Sequence, residues 1–235
     1  ADLYFAPTDG AAANLRCEGI DSSQISITGN TVIDALLQVV GELKADTDRR
    51  NAVSSRFQRI PDDQRLILVT GHRRENFGDG FQRICHGLRT LAERGDVAIA
   101  YPVHLNPNVQ STVHAILSDC HNVHLMAPQD YLPFVYLMDR CHLVITDSGG
   151  IQEEAPALGK PVLVMRDVTE RPEAVNAGTV KLVGTDTDAI ISETALLLDD
   201  EAVYNTMSRA HNPYGDGKAS ERIVREIRRV HELDA

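Results

Sequence analysis

Apolar residues fall along this chain in two alternating patterns: short β-branched runs, and longer stretches with a 3.6-residue period. The short runs lie at 66–70 (LILVT), 97–101 (VAIAY), 123–126 (VHLM), 143–146 (LVIT), 161–165 (PVLVM) and 179–183 (TVKLV). Continuous apolar runs of this length predict strands buried on both faces. Between them, Phe81, Ile84, Cys85, Leu88 and Leu91 share one helical face. Further helices are predicted over 106–117, 131–138 and 150–158, and over about 186–198, 201–209 and 218–233. Strand–helix alternation predicts an α/β fold: a Rossmann-like parallel sheet with helices on both faces. Ligands in such sheets sit beyond the C-terminal ends of the strands. One local conflict stands out: Pro156 lies inside a predicted helix and should kink or shorten it.

The first sixty residues follow a different plan. Residues 1–30 predict a strand, a helix (9–17) and a second strand (24–27). A helix follows from 31, carried by Val32, Ile33, Leu36, Val39, Val40 and Leu43; its opening Thr31-Val32-Ile33-Asp34 resembles a capping box with Asp in the place of Glu. Residues 44–63 are polar and end in Pro61-Asp62-Asp63, which predicts a linker. The division is therefore 1–30, the end of a first domain; 31–63, a crossing helix and linker; 64–217, a Rossmann-like domain; and 218–235, a terminal helix. In that helix Ile223, Val224, Ile227 and Val230 share a side, while Arg222, Arg225, Arg228 and Arg229 lie largely elsewhere. This predicts a packing helix with a solvated basic face, not a membrane anchor. The chain opens without Met, directly in a strand-like run, so sequence upstream is expected to be missing.

Composition narrows the function. At 235 residues and 43% hydrophobic, the chain can build one good core or two smaller ones. Lys and Arg number 23 against 34 Asp and Glu, a net charge of −11, which argues against a nucleic-acid partner. Trp is absent and aromatics are 5%, so no base-stacking platform is expected. Cys17, Cys85, Cys120 and Cys141 are widely spaced without a CxxC, which fits reduced thiols in the cytoplasm. No apolar run approaches the ~20 residues of a membrane span, and no signal peptide is visible.

The most specific chemistry lies at 143–154. A strand stops at Asp147-Ser148-Gly149-Gly150 and a helix-compatible run follows. Glycines let a ligand approach the backbone. The first amides of a helix lack internal partners and, with the helix dipole, attract phosphate. Glu154, one turn on, suits a ribose diol. This predicts a nucleoside diphosphate pocket. His72, Arg73 and Arg74 follow the strand at 66–70 and could serve phosphate or a leaving oxygen, or form an ordinary solvated loop. Gln129 could read the amide face of a uracil, and Phe134 could pack on its ring or belong to the core. His104 reads more as structural than as a ligand, and His121 and His124 form an HxxH without convincing further ligands. Arg171, before Pro172, sits in a charge-rich loop beside the pocket, where it is either a presented guanidinium or solvated charge. There is no GxxxxGK[ST] and no GxGxxG.

Together, GHRREN (71–76), YPVHLNPNV (101–109), QDYLPFVYLM (129–138), TDSGGIQEEAPALGKPVLVMRDVTERPEAV (146–175), AGTVKLVGTD (177–186) and AHNPYGDGKAS (210–220) resemble the non-hydrolysing UDP-N-acetylglucosamine 2-epimerases of bacteria. The likeness runs from about residue 3 to residue 230. It implies a glycosyltransferase-B type fold of two Rossmann-like domains with the site between them, of which this chain is the C-terminal domain plus the end of the first. It implies that Ser148, Gly149 and Gly150 hold the diphosphate, Glu154 the ribose, and Gln129 and Phe134 the uridine. His72, the one catalytic candidate here, and Arg171 contact substrate on its phosphate side, while Arg73 and His104 match an allosteric UDP-GlcNAc site.

The implied reaction interconverts UDP-GlcNAc and UDP-ManNAc by elimination of UDP and re-addition to 2-acetamidoglucal, without cofactor or metal. The resemblance also implies a homodimer. The carboxylates that move the C2 proton belong to the missing N-terminal domain, so this chain alone is expected to be an inactive part of an isomerase. Alternatives are a UDP-sugar glycosyltransferase of the same architecture, a hydrolysing epimerase, and a non-catalytic UDP-sugar-binding module should nothing precede residue 1.

Overall fold

The computed structural model describes residues 1–231. A two-stranded parallel sheet opens the chain: β1 (Tyr4–Ala6), α1 (Asp9–Cys17) and β2 (Ile25–Ile27). Helices α2 (Thr31–Ala45) and α3 (Thr47–Ser54) lead into a second sheet. Its elements are β3 (Arg65–Thr70), α4 (Asp79–Ala92), β4 (Val97–Pro102), α5 (Pro107–Leu117), β5 (Val123–Met126), α6 (Tyr131–Arg140), β6 (Leu143–Thr146), α7 (Gly149–Ala157), β7 (Val162–Val164), α8 (Pro172–Ala177), β8 (Val180–Leu182), α9 (Thr187–Asp199) and α10 (Glu201–Ser208). The chain then ends in α11 (Ala219–Val230); residues 232–235, to which the expected terminal helix and segment extend, lie outside the described residues.

The strand order is β5-β4-β3-β6-β7-β8, all parallel. Numbered within the sheet this is 3-2-1-4-5-6, the doubly wound order, and its switch point lies between β3 and β6. Alternate residues of one strand feed opposite faces. Ile67, Val69, Ile99 and Tyr101 pack with α4, α5 and α9, whereas Leu66, Leu68, Ala98 and Ala100 pack with α2, α6 and α7. Both faces are sealed, which is why the strands read as unbroken apolar runs.

The structure corrects the sequence reading in three places and, at Pro156, bears out an early helix end. The expected linker, 44–63, is mostly ordered packing: α3 forms there, capped by Asp46, which accepts from the Arg49 amide at 2.9 Å. Val53, Phe57 and Ile60 are buried in the core, and Phe57 stacks on Tyr136 with centroids 5.8 Å apart. Their spacing is helical, but the surrounding charge hides it. The capping box at Thr31 does not form: Asn30 is the cap, accepting from the Val32 amide at 3.1 Å. Asp34 instead accepts from the first amides of α11, Ala219 at 3.1 Å and Ser220 at 2.8 Å, where its charge also suits the helix dipole. Pro156 sits in the last turn of α7 and the helix simply ends at Ala157, one residue short of the expected end. Helix α8 follows Arg171 and is too short to show a periodic signal.

Helix α11 keeps its predicted stripe but not its burial. Val224, Ile227 and Val230 are 50%, 37% and 42% exposed, and only Ala219 is buried. No described helix is long and apolar enough to cross a membrane.

Packing under the sheet carries a pH dependence. His142 stacks on Tyr204 with centroids 4.2 Å apart, and its Nε2 is buried without a hydrogen-bond partner. Burial holds its pKa below 6.5, and that of His124 likewise. A depressed histidine pKa means that the unfolded chain binds protons first as pH falls, so stability present above pH 6.5 is lost below it. His72, with its pKa raised, acts in the opposite direction. The expected result is that His142→Phe, which keeps the stack, flattens the fall in melting temperature between about pH 7.5 and 5.5. Parallel curves for variant and wild type would rule out His142 as the source.

Candidate functional site

The loops after β3 and β6 meet at the switch point, and the glycine turn opens α7 there. Ser148 is the N-cap residue of α7 with an extended backbone, and its hydroxyl makes no capping bond. Its own amide is taken by the Thr146 hydroxyl at 3.0 Å. The amides offered to a ligand are therefore those of the helix's first turn, with the free Ser148 hydroxyl beside them. This narrows the cradle expected over 148–150.

Gly149 and Gly150 have ordinary helical backbone, so they are not there for conformational freedom. They leave room. A β-carbon on Gly149 would lie 3.8 Å from the Arg171 guanidinium and 4.0 Å from that of Arg73; one on Gly150 would meet nothing within 4 Å. Two guanidiniums thus converge on the N-terminus of a nine-residue helix. The helix end and the two guanidiniums favour negative charge, although Arg73 also faces Glu170 at 3.8 Å.

Arg171 is held from behind. Its Nε donates to Glu153 Oε1 in a very short contact, and Glu153, nearly buried, also accepts from Asn30 Nδ2. Its loop is braced twice more. Gln152 donates to the Ser148 carbonyl at 3.2 Å and accepts from Thr169 Oγ1 at 2.6 Å. Arg166, 5% exposed, pairs with Glu75 and Glu170, each at 2.6 Å. The Arg171 backbone (φ −123°, ψ 56°) is only half extended; the guanidinium still reaches the opening.

On the other wall the His72 and Arg73 amides donate to Asp147 Oδ2 at 2.8 and 2.7 Å. The His72 ring, 43% exposed, stacks on His104 with centroids 5.4 Å apart. So His72, which the resemblance puts with the substrate, and Arg73 and His104, which it puts in an allosteric set, are contiguous. His121 and His124 find no third ligand among the described residues.

Glu154 is buried and accepts from the Tyr131 hydroxyl at 2.8 Å. Burial raises its pKa, against the bond from Tyr131. Gln129 accepts from Arg56 at 3.1 Å and lines a cavity of about 470 Å³ with Arg56, Phe57 and His124. Phe134, half-buried, packs against the core beneath α6. The Tyr131–Glu154 bond thus joins the start of α6 to α7.

Sequence reasoning left Asp147, Glu153 and Tyr131 without roles. Asp147 had a usable signal, an acidic residue at the mouth of an apolar strand, where a buried carboxylate requires donors. Glu153 and Tyr131 act through partners 18 and 23 residues away in sequence, which no local pattern encodes.

Comparison with known proteins bears on this geometry. Residues 1–228 match the family model described as UDP-N-acetylglucosamine 2-epimerase. The chain is 58% identical over 228 residues to a probable UDP-N-acetylglucosamine 2-epimerase of Ralstonia nicotianae, covering 97% of this chain and 61% of that protein. It is 56% identical to the UDP-N-acetylglucosamine 2-epimerase of Escherichia coli K12, with the same coverage. A crystal structure of UDP-GlcNAc 2-epimerase from Neisseria meningitidis, bound to UDP-GlcNAc, matches with a TM-score of 0.90 at 49% identity, over 97% of this chain and 61% of that one. The chain therefore spans about three fifths of the length of the relatives it matches.

Proposed function

The chain belongs to the UDP-N-acetylglucosamine 2-epimerase family, and from that premise we propose that it is the UDP-binding portion of an isomerase interconverting UDP-GlcNAc and UDP-ManNAc. The observation that carries this reading is the convergence of Arg73 and Arg171 on the amide end of α7. In the proposal, the first-turn amides, the Ser148 hydroxyl and the two guanidiniums hold the diphosphate, which moves Arg73 to the substrate side from the allosteric set that the resemblance implies; Glu154 takes the ribose diol, and Gln129 and Phe134 flank the uracil. That the Neisseria meningitidis relative was crystallised with UDP-GlcNAc supports the same ligand here.

The C2 hydrogen of the sugar is not next to a carbonyl, so direct deprotonation is unfavourable. Elimination avoids that: as a base takes the C2 proton, the C–H pair forms the C1=C2 bond, and the C1–O pair leaves with UDP. Re-addition of UDP to 2-acetamidoglucal, with protonation of C2 from the opposite face, completes the inversion. Negative charge grows on the diphosphate as C1–O breaks. Fixed donors aimed at developing charge typically lower the barrier by about 2.7–4 kcal/mol each. His72, Arg73 and Arg171 are the groups of this chain placed to do so. The proton-transfer groups belong to the remainder of the protein, a first domain that would close on this one and cover the stripe of α11.

Calorimetry with this chain tests the reading. The expected result is UDP binding without epimerisation, and an affinity for UDP reduced about tenfold in Glu154→Ala, in line with one or two lost hydrogen bonds to a charged group. UMP should bind more weakly than UDP in both proteins. Equal UDP affinity in variant and wild type removes the ribose role. Robust turnover by this chain alone shows that the acid and base have been misassigned.

A further inference from the structure

Asp147 is a buried carboxylate that no step above uses. It is 0% exposed and lies at the end of β6, under the glycine turn. Its two oxygens have different surroundings. Oδ2 accepts from the backbone amides of His72 and Arg73, which fixes the loop after β3. Oδ1 has no hydrogen-bond partner within normal geometry, and faces His72 Nδ1 at 3.3 Å. A buried carboxylate oxygen without a donor is costly. The group that faces it at 3.3 Å is an imidazole nitrogen, and that nitrogen relieves the cost only by carrying a proton.

We propose that Asp147 is a positioning residue for His72: it fixes the proton on Nδ1 and so turns Nε2 toward the diphosphate. The proposal rests on the reading of His72 as a substrate-side group. The consequence follows from imidazole chemistry. With Nδ1–H held by Asp147, neutral His72 presents a lone pair at Nε2 and cannot donate to an anion. Only the imidazolium donates from Nε2. The donor form of His72 is thus the charged form, and binding of a diphosphate is tied to proton uptake at this ring.

The surroundings act on that change of state in both directions. Asp147 raises the His72 pKa above 6.5, while partial burial and the Arg73 charge oppose it. His104 is stacked on the ring from the loop after β4. The Tyr101 hydroxyl lies so close to Gly71, the residue before His72, that a β-carbon there would sit 3.1 Å from it, and burial keeps that phenol protonated. A diphosphate adds negative charge, which favours the imidazolium further.

The variant Asp147→Asn tests this with little change of shape. Its amide oxygen can still accept from the two backbone amides, but its NH₂ would meet His72 Nδ1 and reward the opposite tautomer. A carboxylate-to-amide exchange of this kind beside a histidine is known to impose the wrong tautomer in serine proteases. In the full chain, nitrogen-15 spectra of the His72 ring should show Nδ1–H in the neutral wild type and Nε2–H in Asp147→Asn, with the pKa of the ring lowered in the variant. UDP affinity of the wild type should fall as pH rises through the His72 pKa. That of Asp147→Asn should be about tenfold weaker at low pH, where a charge-assisted bond is lost, and nearly flat with pH. In a His72→Gln background the same Asp147 change should alter UDP affinity less than twofold. An unchanged tautomer and pKa in Asp147→Asn would overturn the proposal, whether or not UDP binds. An equal loss of affinity in the His72→Gln background would also overturn it, by making Asp147 a structural group only. Failure of the wild type to bind UDP, with the tautomer exchange observed, would count against the nucleotide site and leave the pairing standing.

Discussion

Gly149→Ala is expected to make this protein more stable and a much poorer binder of UDP. The two effects have separate causes. Gly149 has helical backbone in the first turn of α7, so alanine introduces no strain. It removes unfolded-state freedom and adds helix propensity, up to about 1 kcal/mol. For a chain of this size that is roughly 2–4 °C in melting temperature. The added methyl would touch the Arg171 guanidinium at 3.8 Å, an ordinary contact, so the protein tolerates it. A phosphate seated on the helix amides would not, because the methyl occupies the approach. A loss of affinity of at least about tenfold, or 1.4 kcal/mol, is expected. Gly150→Ala, whose methyl meets nothing within 4 Å, should likewise stabilise, and will weaken UDP only if the diphosphate spans both positions. Calorimetry and thermal melts on the same samples read both effects. Unchanged affinity in Gly149→Ala would place the nucleotide elsewhere, since the variant's fold is not in question.

The second large effect concerns the Arg171 guanidinium itself. Arg171→Met should lower stability by about 3 kcal/mol, the lower end for breaking a buried ion pair, because Arg171 is itself a third exposed. This corresponds to roughly 6–12 °C in melting temperature. The loss arises from what is left behind: Glu153, 7% exposed, retains Asn30 as its side-chain donor but no cation. Glu153→Gln leaves the reverse situation, an arginine that water can reach, and should destabilise much less. Both variants should weaken UDP binding, the first by removing the charge and the second by releasing it from its position. Equal melting temperatures for the two would show that the pair contributes through packing rather than charge.

The parallel sheet was legible because every strand is buried on both faces, which leaves an unbroken apolar run in the sequence. The cradle was legible for a related reason: a strand end, a glycine turn and a helix start are all local. The segment after residue 44 was not legible, since three buried side chains, Val53, Phe57 and Ile60, are scattered among charges and show their pattern only against α6 and the sheet. Asp34 misled for the opposite reason. Its position fits a local cap, yet its partners are the amides of residues 219 and 220, almost two hundred positions away. Glu153 and Tyr131 share that difficulty. Each holds a residue that sequence reasoning did select, and the choice of partner is made by the fold.

The start of α2 and the start of α11, far apart in sequence, lie side by side. Asp34 joins the start of α2 to the start of α11, the Asn30 amide donates to the Tyr214 carbonyl at 2.7 Å, and Arg222 donates to the Thr28 carbonyl at 3.1 Å. Loss of any one of these bonds therefore leaves the others to hold the start of α2 against the start of α11, so the two segments stay in register through a single substitution.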